Sequence, residues 1–160
     1  MKISISEYDW VGANDDFSNG MAVADGLGVF GREGMYAATW WPIKDEPWGR
    51  AAFNVYRNYD GAGSKVGDTG LAVTSSDKVN ASTYAMRDAS GKLYVIVINK
   101  TAGALNTHVT LTGAGAVSSA HAYRLSGSSQ SMVDGGVISV SGGAFDYAAP
   151  AMSMTTIVIQ

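Results

Sequence analysis

The 160-residue sequence contains no cysteine, which excludes disulfide scaffolds, thiol nucleophiles, iron–sulfur clusters and thiolate zinc sites. Charge is also scarce. Only 16% of residues are Asp, Glu, Lys or Arg, against roughly 25% in an average globular domain, so the Glu- and Lys-rich exposed faces of a helical bundle cannot be built. An all-helical fold is excluded. Eleven basic residues against fourteen acidic ones give a net charge of -3, which offers no electrostatic footprint for nucleic acid or an anionic membrane. No apolar run approaches the ~18 residues needed to span a bilayer. Met1-Lys2 leads directly into a strand-like pattern, so this chain is read as carrying no signal peptide.

What is present is rich in Gly, Ser, Thr and Ala, and its hydrophobic period changes once. In Lys2-Ile3-Ser4-Ile5-Ser6-Glu7 polar and apolar residues alternate, placing Ile3, Ile5 and Glu7 on one face of a strand. After a polar turn from Gly12 to Asp16, Phe17, Met21, Ala24 and Leu27 recur at helical spacing, with a start near Asp15 or Asp16 and a stop at Gly31. The continuously apolar Met35-Tyr36-Ala37-Ala38-Thr39-Trp40-Trp41, closed by Pro42, predicts a strand covered on both faces. Asp45-Glu46-Pro47 then offers an N-cap and a first-turn proline for a helix through Tyr59, ended by Gly61. Residues 1–61 are thus β-α-β-α, a unit too small to cover its own sheet.

From residue 66 onward the period is two. Short runs at 71–75, 82–87, 93–99, 108–112, 120–125, 137–140 and 154–159, separated by turns such as Asp88-Ala89-Ser90-Gly91 and Gly135-Gly136, predict seven strands of an antiparallel β-sandwich. The fold class is therefore mainly β, a sandwich preceded by a β-α-β-α fragment. The boundary falls in Asp60-Gly61-Ala62-Gly63-Ser64, dividing the chain into 1–63 and 64–160. Open strand edges in the first unit imply either self-association or ordering by packing on the sandwich.

Glu7 is the sharpest chemical feature, because a carboxylate at the C-terminal end of a core strand is where parallel barrels place catalytic groups. The plain alternative is a strand-end Glu facing water. Tyr8, Asp9 and Trp10 follow it, and Trp40 and Trp41 end the second strand; parallel β-α units open both strand ends on one side, so these residues border one site. Indole faces stack on the C–H faces of sugar rings with little entropy loss. Carboxylate beside tryptophan therefore suggests carbohydrate, although adjacent strand residues point to opposite faces and one of the pair belongs to the core. His108 and His121, on separate strands, make a poor metal set, and no metal or other cofactor is implied. Gly26-Leu27-Gly28-Val29-Phe30-Gly31 lies within a helix rather than opening one, so it does not cradle phosphate. Asp15-Asp16 and Asp45-Glu46 are read as helix caps.

Ser6-Glu7-Tyr8-Asp9-Trp10, the stretch from Met21 to Gly34, Ala37-Ala38-Thr39-Trp40-Trp41-Pro42 and Tyr56-Arg57-Asn58-Tyr59-Asp60-Gly61 closely resemble the end of the catalytic domain in glycoside hydrolase family 44. The resemblance runs through the whole chain and weakens after residue 100. It implies a retaining endo-β-1,4-glucanase or xyloglucanase, cellulase-like, built as a (β/α)8 barrel with an attached β-sandwich and secreted to act on cellulose or xyloglucan. By the same resemblance residues 1–63 are the last part of the barrel. Glu7 matches the nucleophile, and Trp40 matches a substrate-contacting tryptophan, with Tyr8, Trp10 and Trp41 as further substrate-binding candidates. Asp9 stands where the family has Asn. The family's acid/base Glu lies on an earlier strand that this chain lacks, and Glu33, Asp45 and Glu46 are poorly placed to replace it. The alternative is a non-catalytic module that binds glucan through exposed Tyr84, Tyr94, Tyr123 or Tyr147.

Overall fold

The computed structural model describes residues 2–10, 15–42 and 44–160. Most of the polar turn expected from Gly12 to Asp16 lies outside them. The first elements are β1 (Ser4–Tyr8), α1 (Phe17–Arg32), β2 (Ala37–Trp40) and α2 (Pro47–Arg57). Both strands are parallel, with Ser4 opposite Ala37, Ile5 opposite Ala38 and Tyr8 opposite Trp40. Three residues of β1 thus step against two of β2, so the strand bulges around Ser6 and Glu7. Asp16 caps α1 by accepting from the Asn19 backbone N–H at 3.1 Å.

The remaining elements are β3 (Thr69–Leu71), β4 (Ala81–Arg87), β5 (Leu93–Asn99), β6 (Leu105–Thr110), β7 (Ser119–Ser126), β8 (Ser129–Ser139), β9 (Ala144–Ala149) and β10 (Ser153–Ile159). Six of them form an antiparallel sheet in the order β3-β4-β5-β10-β7-β8, and β6 pairs with β9 in a second sheet. The fold is mainly β, with the β-α-β-α unit ahead of the sandwich.

Strand parity explains how the layers stack. Ile96, Ile98, Tyr84, Leu125 and Met154 face the helices and meet Met21, Val23, Ala24, Ala52, Val55 and Tyr56. Their neighbours Val95, Val97, Ala122, Ile157 and Ile159 point the opposite way, onto Phe145, Ala149 and Val140. All seven residues of β10 are buried because both faces of its sheet are covered. Hydroxyl groups tie these layers together, with Tyr56 Oη of α2 donating to the Ala24 carbonyl of α1 at 2.8 Å and Thr156 Oγ1 of the sheet donating to the Val55 carbonyl of α2. Helices α1 and α2 are therefore packed against the sandwich.

Three details depart from the sequence reading. An eighth strand, β9, completes the sandwich; it has few β-branched residues, and only the alternation of Phe145, Asp146 and Tyr147 marks it. Gly135 and Gly136 lie inside β8 rather than between strands, at a bulge opposite Ala122 and Tyr123. There Gly136 takes φ +85° and donates to Asp134 Oδ1 at 2.7 Å, and a Cβ on Gly135 would stand 3.0 Å from that of Ala122. Glu46 occupies the N-cap of α2 but makes no side-chain capping bond. Asp15 caps that helix across the chain instead, accepting from the N–H groups of Trp48 at 2.8 Å and Gly49 at 3.3 Å.

Candidate functional site

The C-terminal ends of β1 and β2 lie side by side. Tyr8 is paired with Trp40, and the Trp41 N–H donates to the Tyr8 carbonyl at 3.0 Å. Glu7 is exposed on the bulge of β1. The two tryptophans divide as strand parity requires. Trp40 packs on Phe53, with ring centroids 5.3 Å apart, and against Gly49, where a Cβ would come within 2.7 Å of the indole. Its Nε1 is buried without a hydrogen-bond partner. Trp41 is 57% exposed, and Ile3 at 57% and Tyr36 at 63% are exposed at the opposite end of the strand pair.

Tyr8 and Trp10 build one rim. Their rings lie 4.9 Å apart, and both meet Phe30 of α1, at 5.1 Å for Tyr8 and 5.9 Å for Trp10. Burial pushes the Tyr8 phenol above its ordinary range. Trp10 reaches this position because residue 26 is glycine, since a Cβ there would stand 2.0 Å from the indole ring. Phe30 and Gly26 were missed as site-building residues, because in the sequence they read as helix periodicity and nothing more. On the other side of Trp40, an open groove of about 630 Å³ runs between α2 and the β7–β8 turn, lined by Trp40, Pro47, Arg50, Phe53, Asn54 and Gln130. Apolar Trp40, Pro47 and Phe53 stand there beside the amides of Asn54 and Gln130 and the Arg50 guanidinium, which is paired with Asp45.

Other candidates fall elsewhere. Tyr84 and Tyr94 are buried, and Tyr123 and Tyr147 are half-buried, so they form no exposed stacking surface. Tyr123 is covered by His121 at 4.7 Å and Tyr59 at 5.1 Å. His108 and His121 each bond a separate aspartate, Asp146 and Asp134 respectively, at 2.7 Å. Among the described residues no group of three or more His, Asp or Glu is arranged to hold a metal ion, and no helix is long and apolar enough to cross a membrane.

An endoglucanase A of Paenibacillus lautus is 31% identical over 164 residues, covering 99% of this chain and 23% of the relative. Among solved structures, a family 44 endoglucanase of Clostridium acetobutylium superposes with a TM-score of 0.93 at 36% identity, over 99% of this chain and 32% of that one. The chain belongs with the C-terminal portion of glycoside hydrolase family 44. A Paenibacillus polymyxa xyloglucanase of family 44, solved with xyloglucan, gives the same TM-score at 32% identity and the same coverage. The chain thus spans about a third of the family 44 structures it matches and less of the curated relative. No family model matches the chain.

Proposed function

We propose that this chain is the nucleophile-bearing part of a retaining endo-β-1,4-glucanase. The observation that carries the reading is an exposed carboxylate on the bulged C-terminal end of β1, beside the tryptophan-bearing end of its parallel partner, within a fold that matches family 44 structures over 99% of its length. In this reading a Glu7 oxygen bonds the anomeric carbon while the bond to the leaving glucan oxygen breaks. An acid on the rest of the barrel, about 5 to 5.5 Å from Glu7, gives that oxygen its proton. The same group then takes a proton from water, which attacks the glycosyl ester and frees Glu7. Tyr8, Trp10, Trp40 and Trp41 line the sugar path, with β-glucan or xyloglucan as substrate; a polymer of that size places the reaction outside the cell.

The functional division follows residues 1–63 as barrel elements and 64–160 as the sandwich that holds them. The open side of β1 and β2 is the surface that the rest of a barrel covers, and in its absence a second copy of the chain is the competing occupant. The test joins this chain to the upstream part of a family 44 barrel and compares Glu7 with Glu7→Gln. Hydrolysis of soluble glucan should vanish while glucan binding stays nearly intact, because the amide keeps the shape but cannot form the glycosyl ester. Full activity in Glu7→Gln overturns the assignment.

A further inference from the structure

Glu46 has no role in that chemistry, and its surroundings are unusual. It stands at the start of α2 with its side chain fully buried, and neither carboxylate oxygen has a hydrogen-bond partner. The displacement has a visible cause. Asp15, whose Oδ1 also accepts from Asn19 Nδ2 at 2.7 Å, has taken the free N–H groups of Trp48 and Gly49 that a residue at position 46 would otherwise cap. Around Glu46 stand Asp9 from the β1–α1 connection, Asp15 from the segment ahead of α1, and Lys44 from the β2–α2 connection. Asp45 and Arg50 are paired with each other on the exposed side.

Burial holds the Glu46 carboxyl above its ordinary range, and the negative charges of Asp9 and Asp15 push it further in the same direction. The Lys44 ammonium and backbone N–H act in the opposite direction. A buried carboxylate with no partner is neutralised rather than kept as an ion.

We propose that the junction of Asp9, Asp15 and Glu46 is a pH-sensitive clasp between the two β–α connections, closed while Glu46 carries a proton and loosened when it ionises. One connection follows Tyr8 and the other follows Trp40, so the clasp lies next to the two strand ends that carry the candidate site. It does not depend on Glu7 being a nucleophile. The sign follows from linkage. A glutamate whose folded pKa lies above its ordinary 4.5 stabilises the fold fully below that value. The contribution is lost as pH rises through the raised value.

The test is thermal unfolding of the 160-residue chain from about pH 4 to about pH 9, with Glu46→Gln alongside. The parent should lose melting temperature as pH rises past the ordinary glutamate range, and Glu46→Gln should be flat over that window and melt above the parent at its alkaline end. An identical fall in both proteins overturns the clasp. If Glu46→Gln does not fold, Asp9→Asn serves instead, since removing that negative charge should move the parent's fall to lower pH, and an unmoved fall overturns the proposal. A carboxyl-carbon NMR titration reads the group directly. Glu46 should titrate above the exposed glutamates, and titration with them or below them refutes the idea.

Discussion

The two helices lie between two sheets that fare differently. On one side the six-stranded sheet is buried by α1 and α2 and then covered on its far face by β6 and β9, so β10 is buried along its whole length. On the other side the pair β1–β2 is held by the same helices, through Tyr8 on Phe30 and Trp40 on Phe53, but its far face, with Ser4, Ala37 and Thr39, is exposed, and so are Ile3, Tyr36 and Trp41 at its ends. Helices alone cover one face of a sheet. A parallel pair whose second face is left exposed is a half-layer, and the candidate site sits at its end. Its local order comes from the covered face and its chemistry from the open one.

The largest effect that tests this contrast comes from truncating the doubly covered sheet. Ile157→Ala, fully buried between β5, β7 and the β6–β9 sheet, should cost about 2–5 kcal/mol in urea unfolding. Ile3→Ser, exposed just ahead of β1, should leave unfolding within about 0.5 kcal/mol of the parent. A comparable loss in Ile3→Ser would mean that something covers this end of the strand pair in solution, and oligomers would then be seen by light scattering.

Next in size is the seam between the helices and the large sheet. Tyr84 lies flat against α1 where residue 28 is glycine, and a Cβ there would come within 2.3 Å of the ring. Its hydroxyl reaches the Asp25 carboxylate and also donates to the Asp25 carbonyl at 3.1 Å. Gly28→Ala should therefore overpack the seam by about 1–3 kcal/mol. If chemical unfolding shows Gly28→Ala to be neutral or stabilising, as helix propensity alone would have it, then the sheet does not hold α1 as closely as the open pair requires.

A smaller effect separates the two caps. Asp16→Ala removes the bond to the Asn19 N–H at the start of α1 and should cost about 1 kcal/mol. Asp15→Ala frees the N–H groups of two residues of α2 and detaches that helix from the start of α1, so it should cost more than Asp16→Ala in the same unfolding measurement. Equal losses would reduce Asp15 to an ordinary local cap.

These residues also show how far the sequence could be read. Apolar spacing located both helices, because packing on the sheet needs one continuous stripe, and Asp88-Ala89-Ser90-Gly91 marked the β4–β5 hairpin, where Gly91 takes φ +92°. Glu7, Tyr8, Trp10, Trp40 and Trp41 were legible as a group because parallel strands bring their C-terminal ends together. The cross-chain role of Asp15 was not legible. Its position next to Asp16 suggests a local cap, and only the approach of α2 to α1 gives it distant N–H groups. The glycines of α1 gave no sign of their purpose for the same reason, since Trp10 and Tyr84 reach Gly26 and Gly28 only in the folded chain. Nor could the apolar stretch before Pro42 show that just one face of its strand would be covered, because hydrophobicity marks what is to be buried and not what buries it.

The smallest expected effect lies far from the open sheet, in the β4–β5 hairpin. Asp88 accepts from the Ser90 hydroxyl at 2.6 Å, from Tyr94 Oη at 2.9 Å, and from the Ser90 and Lys92 N–H groups, both at 2.9 Å. These donors, the Ser90 hydroxyl foremost, hold its carboxyl down to about 2, below the ordinary 3.8. A lowered carboxylate stabilises the fold above its ordinary pKa and loses that contribution as pH falls toward the folded value. Asp88→Asn should therefore unfold at lower urea than the parent at neutral pH, and the gap should close as pH drops from about 4 toward about 2. The site is exposed to water, which screens the charge, so the gap should be smaller than that for Asp16→Ala. A gap that stays constant down to acid pH would show that the hairpin depends on the shape of the side chain and not its charge. In that case the closed half of the molecule would owe its hairpin to turn geometry alone.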